Sequence, residues 1–205
     1  MPLALTERPS PPPVGYPARK RWTRAECDRL EALGFFDQQH LELIEGELID
    51  RRMSRNRPHV NAAALLAGWL IQVFGGRRVN HGAPVDVAPE DNPTNQPVPD
   101  LIVVRGEYAG SSRFWSATPQ PSDLDVVVQI ADTSLQFDLT VKAALYARAG
   151  IVEYWILDVA SQRLIVHREP QDGQYKSVIV YSRDESVSPL AAPNASFLIR
   201  SVFPD

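Results

Sequence analysis

The chain has 205 residues, 44% hydrophobic and 22% charged, a balance that excludes both a wholly disordered polymer and a membrane protein. A formal net charge of -4 excludes a uniformly basic nucleic-acid surface, although a local basic patch fits within it. The single cysteine, Cys27, excludes an intramolecular disulfide and any zinc site built from several thiolates.

Purely apolar runs such as residues 62–66 and 126–128 fall far short of the roughly 20 residues that span a membrane. The first residues lack a charged start, an apolar stretch and a small-residue cleavage site, so a cytoplasmic protein with no membrane association is expected.

Residues 1–20 form a proline-rich extended arm, since Pro9, Pro11, Pro12, Pro13 and Pro17 forbid helix. The basic run Arg19-Lys20-Arg21 suits either a solvated linker or a phosphate contact. Residues 21–205 are expected to form one domain. Its first helix opens on a capping box, Thr23 with Glu26 three residues later, and Gly34 follows its end. Cys27, Leu30 and Leu33 recur at helical spacing, which makes Cys27 a small core residue.

Two short apolar runs around Glu45-Gly46 predict a hairpin over residues 41–49, with Glu42 on the face opposite Leu41 and Leu43. A long helix follows over residues 59–74. Ala62, Leu65, Leu66, Trp69, Leu70 and Val73 make its apolar stripe, Gly75-Gly76 ends it, and His59 lies in its first turn. Strands are predicted over residues 79–87, 101–104 and 126–130. A second amphipathic helix over residues 138–149 has Asp138 as its cap and Gly150 at its close. Strands over residues 153–157, 163–167 and 176–181 complete a mixed α/β domain with a central sheet.

The chemistry-bearing motifs are few. Gly-x-Ser-x-Gly does not occur, nor does Gly-Lys-Ser or Gly-Lys-Thr, and His40, His59, His81 and His167 lack metal-ligand spacing. Asp100, which follows Pro99 and opens the run Leu101 to Val104, reads either as a strand-start turn residue or as a hard-cation ligand. Lys142 sits four residues after Asp138 beside the helix stripe, either as an ordinary exposed lysine or as part of a site.

In order and spacing, several segments resemble the Uma-type restriction endonucleases, a branch of the PD-(D/E)XK nuclease superfamily. They are the stretch 41–48, His59 opening its helix, Pro99-Asp100 before 101–104, Val126 to Ile130, Asp138 with Lys142, and above all Gly150-Ile151-x-Glu153-Tyr154-Trp155-Ile156-x-Asp158. The resemblance covers nearly the whole chain beyond the arm. It implies a restriction-endonuclease-like core, a central mixed sheet flanked by helices, with a metal site at the sheet edge.

Carried over residue by residue, Asp100 takes the place of the motif aspartate and Glu42 that of the early acidic position. Lys142 takes the place of the lysine that this branch carries on the following helix. The departure is Gln129, where the family carries glutamate: an amide keeps an oxygen donor but loses a formal charge.

The activity implied is hydrolysis of DNA phosphodiesters with magnesium or manganese. Asp100, Gln129, the Ile130 carbonyl and Glu42 are the implied metal ligands, with Lys142 as the group that stabilises the phosphate. Asp138 reads as a cap rather than a ligand. Arg51, Arg52, Arg55, Arg57 and His59 are the candidate DNA contacts, the arginines reading equally as a solvated loop and His59 as a helix opener. A homodimer would suit the cutting of two strands. The competing reading is a catalytically inactive nuclease-fold module for DNA binding or protein interaction, and a hydrolase of small phosphoesters ranks last.

Overall fold

The structure, a computed structural model, describes residues 18–37, 39–51 and 57–203. The arm predicted over residues 1–20 lies almost entirely outside the described residues. The basic run at its end binds the protein itself: Lys20 pairs with Glu26 at 2.6 Å and Arg21 Nη1 donates to the Glu45 carbonyl at 3.1 Å.

Helix α1 (Arg24–Ala32) starts where the capping box places it, with the Thr23 and Glu26 side chains each bonded to the other's backbone. Cys27 is buried on it, but Leu33 is exposed, so the predicted stripe extends past the real contact. Strands β1 (Leu41–Ile44) and β2 (Glu47–Asp50) pair as the predicted hairpin. Its two-residue turn has Glu45 at φ 50° and Gly46 at φ 75°, the left-handed conformation that a tight hairpin needs. A Cβ at Gly46 would lie 3.0 Å from the Arg21 Cβ and 3.3 Å from the Trp22 carbonyl, so glycine is required there for space as well as for φ.

Helix α2 (Arg57–Phe74) begins two residues before its predicted start, and Leu65 from its predicted stripe is exposed. The strand predicted over residues 79–87 shrinks to β3 (Val79–His81). Gly82 turns at φ 56° and Pro84 cannot donate to a ladder, and together they end the pairing.

Strand β4 (Leu101–Val104), the short helix α3 (Gly106–Gly110) and strand β5 (Leu124–Ala131) follow. Residues 135–148 are then helical in three pieces: α4 (Leu135–Phe137), a π-helical stretch (Asp138–Lys142) and α5 (Ala143–Arg148). Asp138 therefore lies inside the helical segment instead of capping it. Strands β6 (Glu153–Asp158), β7 (Arg163–Gln171) and β8 (Gln174–Tyr181) close the sheet, and β9 (Ser186–Val187) pairs with β10 (Phe197–Leu198) beside it.

The sheet order is β3-β4-β5-β6-β7-β8. Its one parallel pair among the described strands is β5–β6, and residues 132–152 supply the crossover that such a pair requires. Because helices cover both faces, β5 and β6 are buried almost throughout and read as continuous apolar runs without alternation. One face packs Val126, Val128, Ile130, Trp155 and Leu157 under α2. The other packs Ile102, Val127, Tyr154 and Ile156 with Tyr146 and Leu145 of α5. Among the described residues no helix is long and apolar enough to cross a membrane.

Candidate active site

Sheet register builds the site. In the antiparallel β4–β5 pair, Leu101 faces Val128, so the next step outward sets Asp100 beside Gln129, two residues 29 apart in sequence. Asp100 Oδ2 accepts the Ile130 N–H at 2.8 Å, which fixes the carboxylate at the end of the ladder. The hairpin supplies Glu42, buried on β1, whose Oε2 accepts the Val98 N–H at 3.1 Å. The helical crossover supplies Lys142, likewise buried, with its ammonium 2.7 Å from Glu42 Oε1.

Gln129 bridges the two halves. Its Nε2 donates to Asp100 Oδ2 at 3.0 Å while its Oε1 accepts from Lys142 Nζ at 3.1 Å. Asp100, Gln129, Lys142 and Glu42, named from sequence on four separate segments, thus share one cleft of about 90 Å³. Ile130, the fourth predicted ligand, also lines it.

Two further side chains approach the other oxygen of Asp100. Arg51 Nη2 lies 3.4 Å and His59 Nε2 3.6 Å from its Oδ1. Burial pushes the Asp100 carboxyl upward, but the His59 contact, the Ile130 N–H and the Arg51 charge outweigh it and leave its pKa below the ordinary value. His59 is turned inward against this carboxylate, and Arg51 is mostly buried, so the two expected DNA contacts nearest the site face the acid. Arg57 is exposed at the start of α2, and Arg52 and Arg55 lie outside the described residues.

Sequence reasoning undervalued Asp138. It is buried, its Oδ2 accepts from Ser134 Oγ at 2.6 Å, and its Oδ1 stands 3.7 Å from Lys142 Nζ. Burial, opposed by Lys142 and the Ser134 bond, pushes its pKa up to about 6. The π-helical stretch adds a residue to the turn that carries Asp138 and Lys142, a distortion often found at functional sites. The i, i+4 spacing of Asp138 and Lys142 on one helix was the signal available.

The donor set suits a hard divalent cation in kind: two carboxylates, an amide oxygen and backbone carbonyls, all oxygen. It is lean in charge. Among the described residues no three His, Cys, Asp or Glu side chains converge as a metal-binding group, and Lys142 and Arg51 already offset Glu42 and Asp100. Each Glu42 oxygen accepts one protein donor and keeps a second lone pair for a cation, whereas each Asp100 oxygen faces two donors that a cation would have to displace.

Fold and site together define a mixed α/β domain whose acidic and lysine groups meet at one end of the central sheet. A family model described as "Uma2: Putative restriction endonuclease" matches residues 24–200, and the chain belongs to that family. Among solved structures, it is similar to "a putative nuclease belonging to DUF820" from Anabaena variabilis, with 18% identity and a TM-score of 0.62 over 80% of this chain and 89% of that one. At that identity the likeness shows a shared fold. No curated protein matches.

Proposed function

We propose that the protein is a divalent-cation-dependent DNA endonuclease. The observation that supports this reading best is the meeting of Asp100, Gln129, Glu42 and Lys142, drawn from four segments, in one cleft at the sheet's end. Family membership agrees with it. Magnesium or manganese would be held by Asp100, the Gln129 amide oxygen, the Ile130 carbonyl and, through water, Glu42; when bound it supplies Lewis-acid polarisation of the phosphate and a more acidic water.

The chain's own residues do the rest. Ile130 N–H and Arg51 hold Asp100 ionised and aimed into the cleft. Glu42 and Asp138 keep the Lys142 ammonium in place, where it can stabilise charge growing on the phosphate. Gln129 must turn its oxygen from Lys142 toward Asp100 to join a cation, which frees one Lys142 N–H for the substrate. Arg57, exposed at the start of α2, is available for a phosphate contact. Cutting both strands calls for two such sites, which a homodimer would provide.

A second reading has its own observation. With Gln129 in the carboxylate position and Lys142 paired to Glu42, the cleft is close to neutral, which favours a nuclease-fold module that binds DNA or a protein without cutting. Plasmid cleavage in magnesium and in manganese separates the two. The parent is compared with Asp100→Ala, Lys142→Ala and Gln129→Glu, each checked for folding by circular dichroism. Nicking by the parent that both alanine variants lose supports the nuclease. Nicking by Gln129→Glu alone supports the binding module, and silence in all four overturns the nuclease reading.

A further inference from the structure

The two edges of the central sheet differ. β3 is three residues long, and Gly82 and Pro84 stop it, one of the ways in which an edge is blunted. β8, the last strand on the other side, runs for eight residues and among the described strands pairs with β7 alone. On it Val178, Ile179 and Val180 are 50%, 45% and 51% exposed. Consecutive side chains of a strand point to opposite faces, so β8 is uncovered on both. From Ser177 to Ser182 it carries neither a charge nor a proline. A long, apolar, uncharged edge of this kind is a template on which a further strand can pair.

The residues along the edge select that strand. When two identical strands pair antiparallel about a two-fold axis, one residue faces its own copy and its neighbours face each other in reverse order. With the axis at Ile179, Ile179 faces the partner's Ile179 and Val178 faces the partner's Val180. An axis at Val178 would set Lys176 against the partner's Val180, and one at Val180 would set Val178 against the partner's Ser182. The apolar run is symmetric about Ile179 alone. A strand from another protein requires no such symmetry, whereas a second copy of this chain does.

The α5 side of the edge suits the same contact. A cavity of about 270 Å³ lies there, with Leu139, Ala143, Ala144, His167, Tyr175 and Val178 in its lining. Directly opposed residues of paired strands project to the same face, so the partner's Val180 comes beside Val178 at the rim of this cavity. No residue that lines the acidic cleft belongs to β8, so the pairing leaves each cleft complete on its own chain.

We infer that the protein forms a homodimer joined edge to edge through β8, with the two sheets continuous and Ile179 on the two-fold axis. The inference gives an interface to the homodimer invoked for cutting two strands. It rests on that reading only for the use of two sites, since the pairing itself rests on the sheet edge.

Sedimentation velocity of the full chain at micromolar concentration, without DNA or divalent cation, reads the oligomeric state. The parent should sediment at twice the chain mass. Ile179→Lys sets two ammonium groups face to face on the axis and should raise the dimer dissociation constant at least roughly tenfold, with a circular dichroism spectrum like the parent's. Ile179→Cys should oxidise to a disulfide-linked dimer, because facing residues hold their Cα atoms ~4.5–5.5 Å apart, within the span of a disulfide. Lys176→Cys, whose two copies would stand ~20 Å apart along the strands, should link far more slowly. Cys27 is buried and does not compete.

A parent that sediments as a monomer, or as a series of higher oligomers, would overturn the inference. So would a folded Ile179→Lys that dimerises as the parent does, or a Lys176→Cys that links as fast as Ile179→Cys. The two cysteine variants decide the matter even where Ile179→Lys does not fold. The nuclease reading survives each of these failures, because no arm uses DNA, and it stands or falls on the plasmid assay.

Discussion

Asp138 offers a direct test of how the cleft is held together. It is 1% exposed, and its pKa rises from the ordinary 3.8 to about 6, with burial as the main cause and Lys142 and Ser134 opposing it. The folded carboxyl therefore holds its proton more tightly than the unfolded one. Between about pH 4 and pH 6 unfolding releases a proton, and stability falls as pH rises through that window. At ~1.4 kcal/mol per pKa unit, the ionised group costs the folded state ~3 kcal/mol at neutral pH.

Asp138→Asn removes that charge and keeps an oxygen for Ser134; the lost Lys142 attraction is already within that ~3 kcal/mol, but the variant sets an amide near an ammonium, so the net gain should be ~1–2 kcal/mol at pH 7 to 8. For a chain of this length that raises Tm by roughly 2–8 °C. Urea unfolding of both proteins at intervals from pH 4 to pH 8 measures the difference directly. The gain should shrink as pH falls below 6, because the parent's folded carboxyl then takes up its proton. A variant less stable than the parent at pH 7, or a difference that stays constant from pH 4 to pH 8, would refute the reasoning.

Two further outcomes follow from the ion pairs. Gln129→Glu introduces a formal charge 3.0 Å from Asp100 Oδ2; its attraction for a cation, set against the new carboxylate repulsion, should tighten Mn2+ binding at least roughly tenfold. Isothermal titration of the parent and the variant checks this without any cleavage assay, and affinities within twofold of each other would contradict it. Glu153 is fully buried and accepts from Trp155 Nε1 at 2.9 Å, Arg168 Nε at 2.8 Å and the Leu190 N–H at 2.7 Å. Glu153→Ala strands Arg168 and the indole N–H and should cost ~3–5 kcal/mol, measured as a shift of the urea midpoint at unchanged slope; a loss under ~1 kcal/mol would show that water satisfies those donors.

Much of the fold was legible because local chemistry dictated it. The Thr23–Glu26 box starts α1, Glu45-Gly46 turns the first hairpin, and the continuous apolar runs of β4, β5 and β6 mark strands buried on both faces. What failed were periodicities read past their physical stop. The apolar pattern of residues 79–87 continues through Gly82 and Pro84, yet backbone geometry ends β3 at His81. Leu33 and Leu65 keep helical spacing with buried neighbours but lie beyond the arc that a partner covers.

The site follows a different logic. Asp100 and Gln129 each stood at a strand end, which sequence could say; that the two strands pair antiparallel in the register setting them side by side is a property of the assembled sheet. Lys142 illustrates the limit most clearly. A lysine on an amphipathic helix is ordinarily exposed, because its ammonium loses hydration when buried. Here two carboxylates, Glu42 from the hairpin and Asp138 from the preceding turn, meet that cost, and the π-helical stretch lies at that turn. None of these partners is recognisable as such one residue at a time. The arrangement makes sense of the whole cleft: with Gln129 neutral, Lys142 is held by Glu42 and Asp138 and bonded to the Gln129 oxygen, so a cation or a phosphate entering the cleft competes with contacts that already satisfy it. A charge introduced at position 129 and a charge removed at position 138 therefore perturb one electrostatic balance from opposite sides, which makes the two variants more informative together than either is alone.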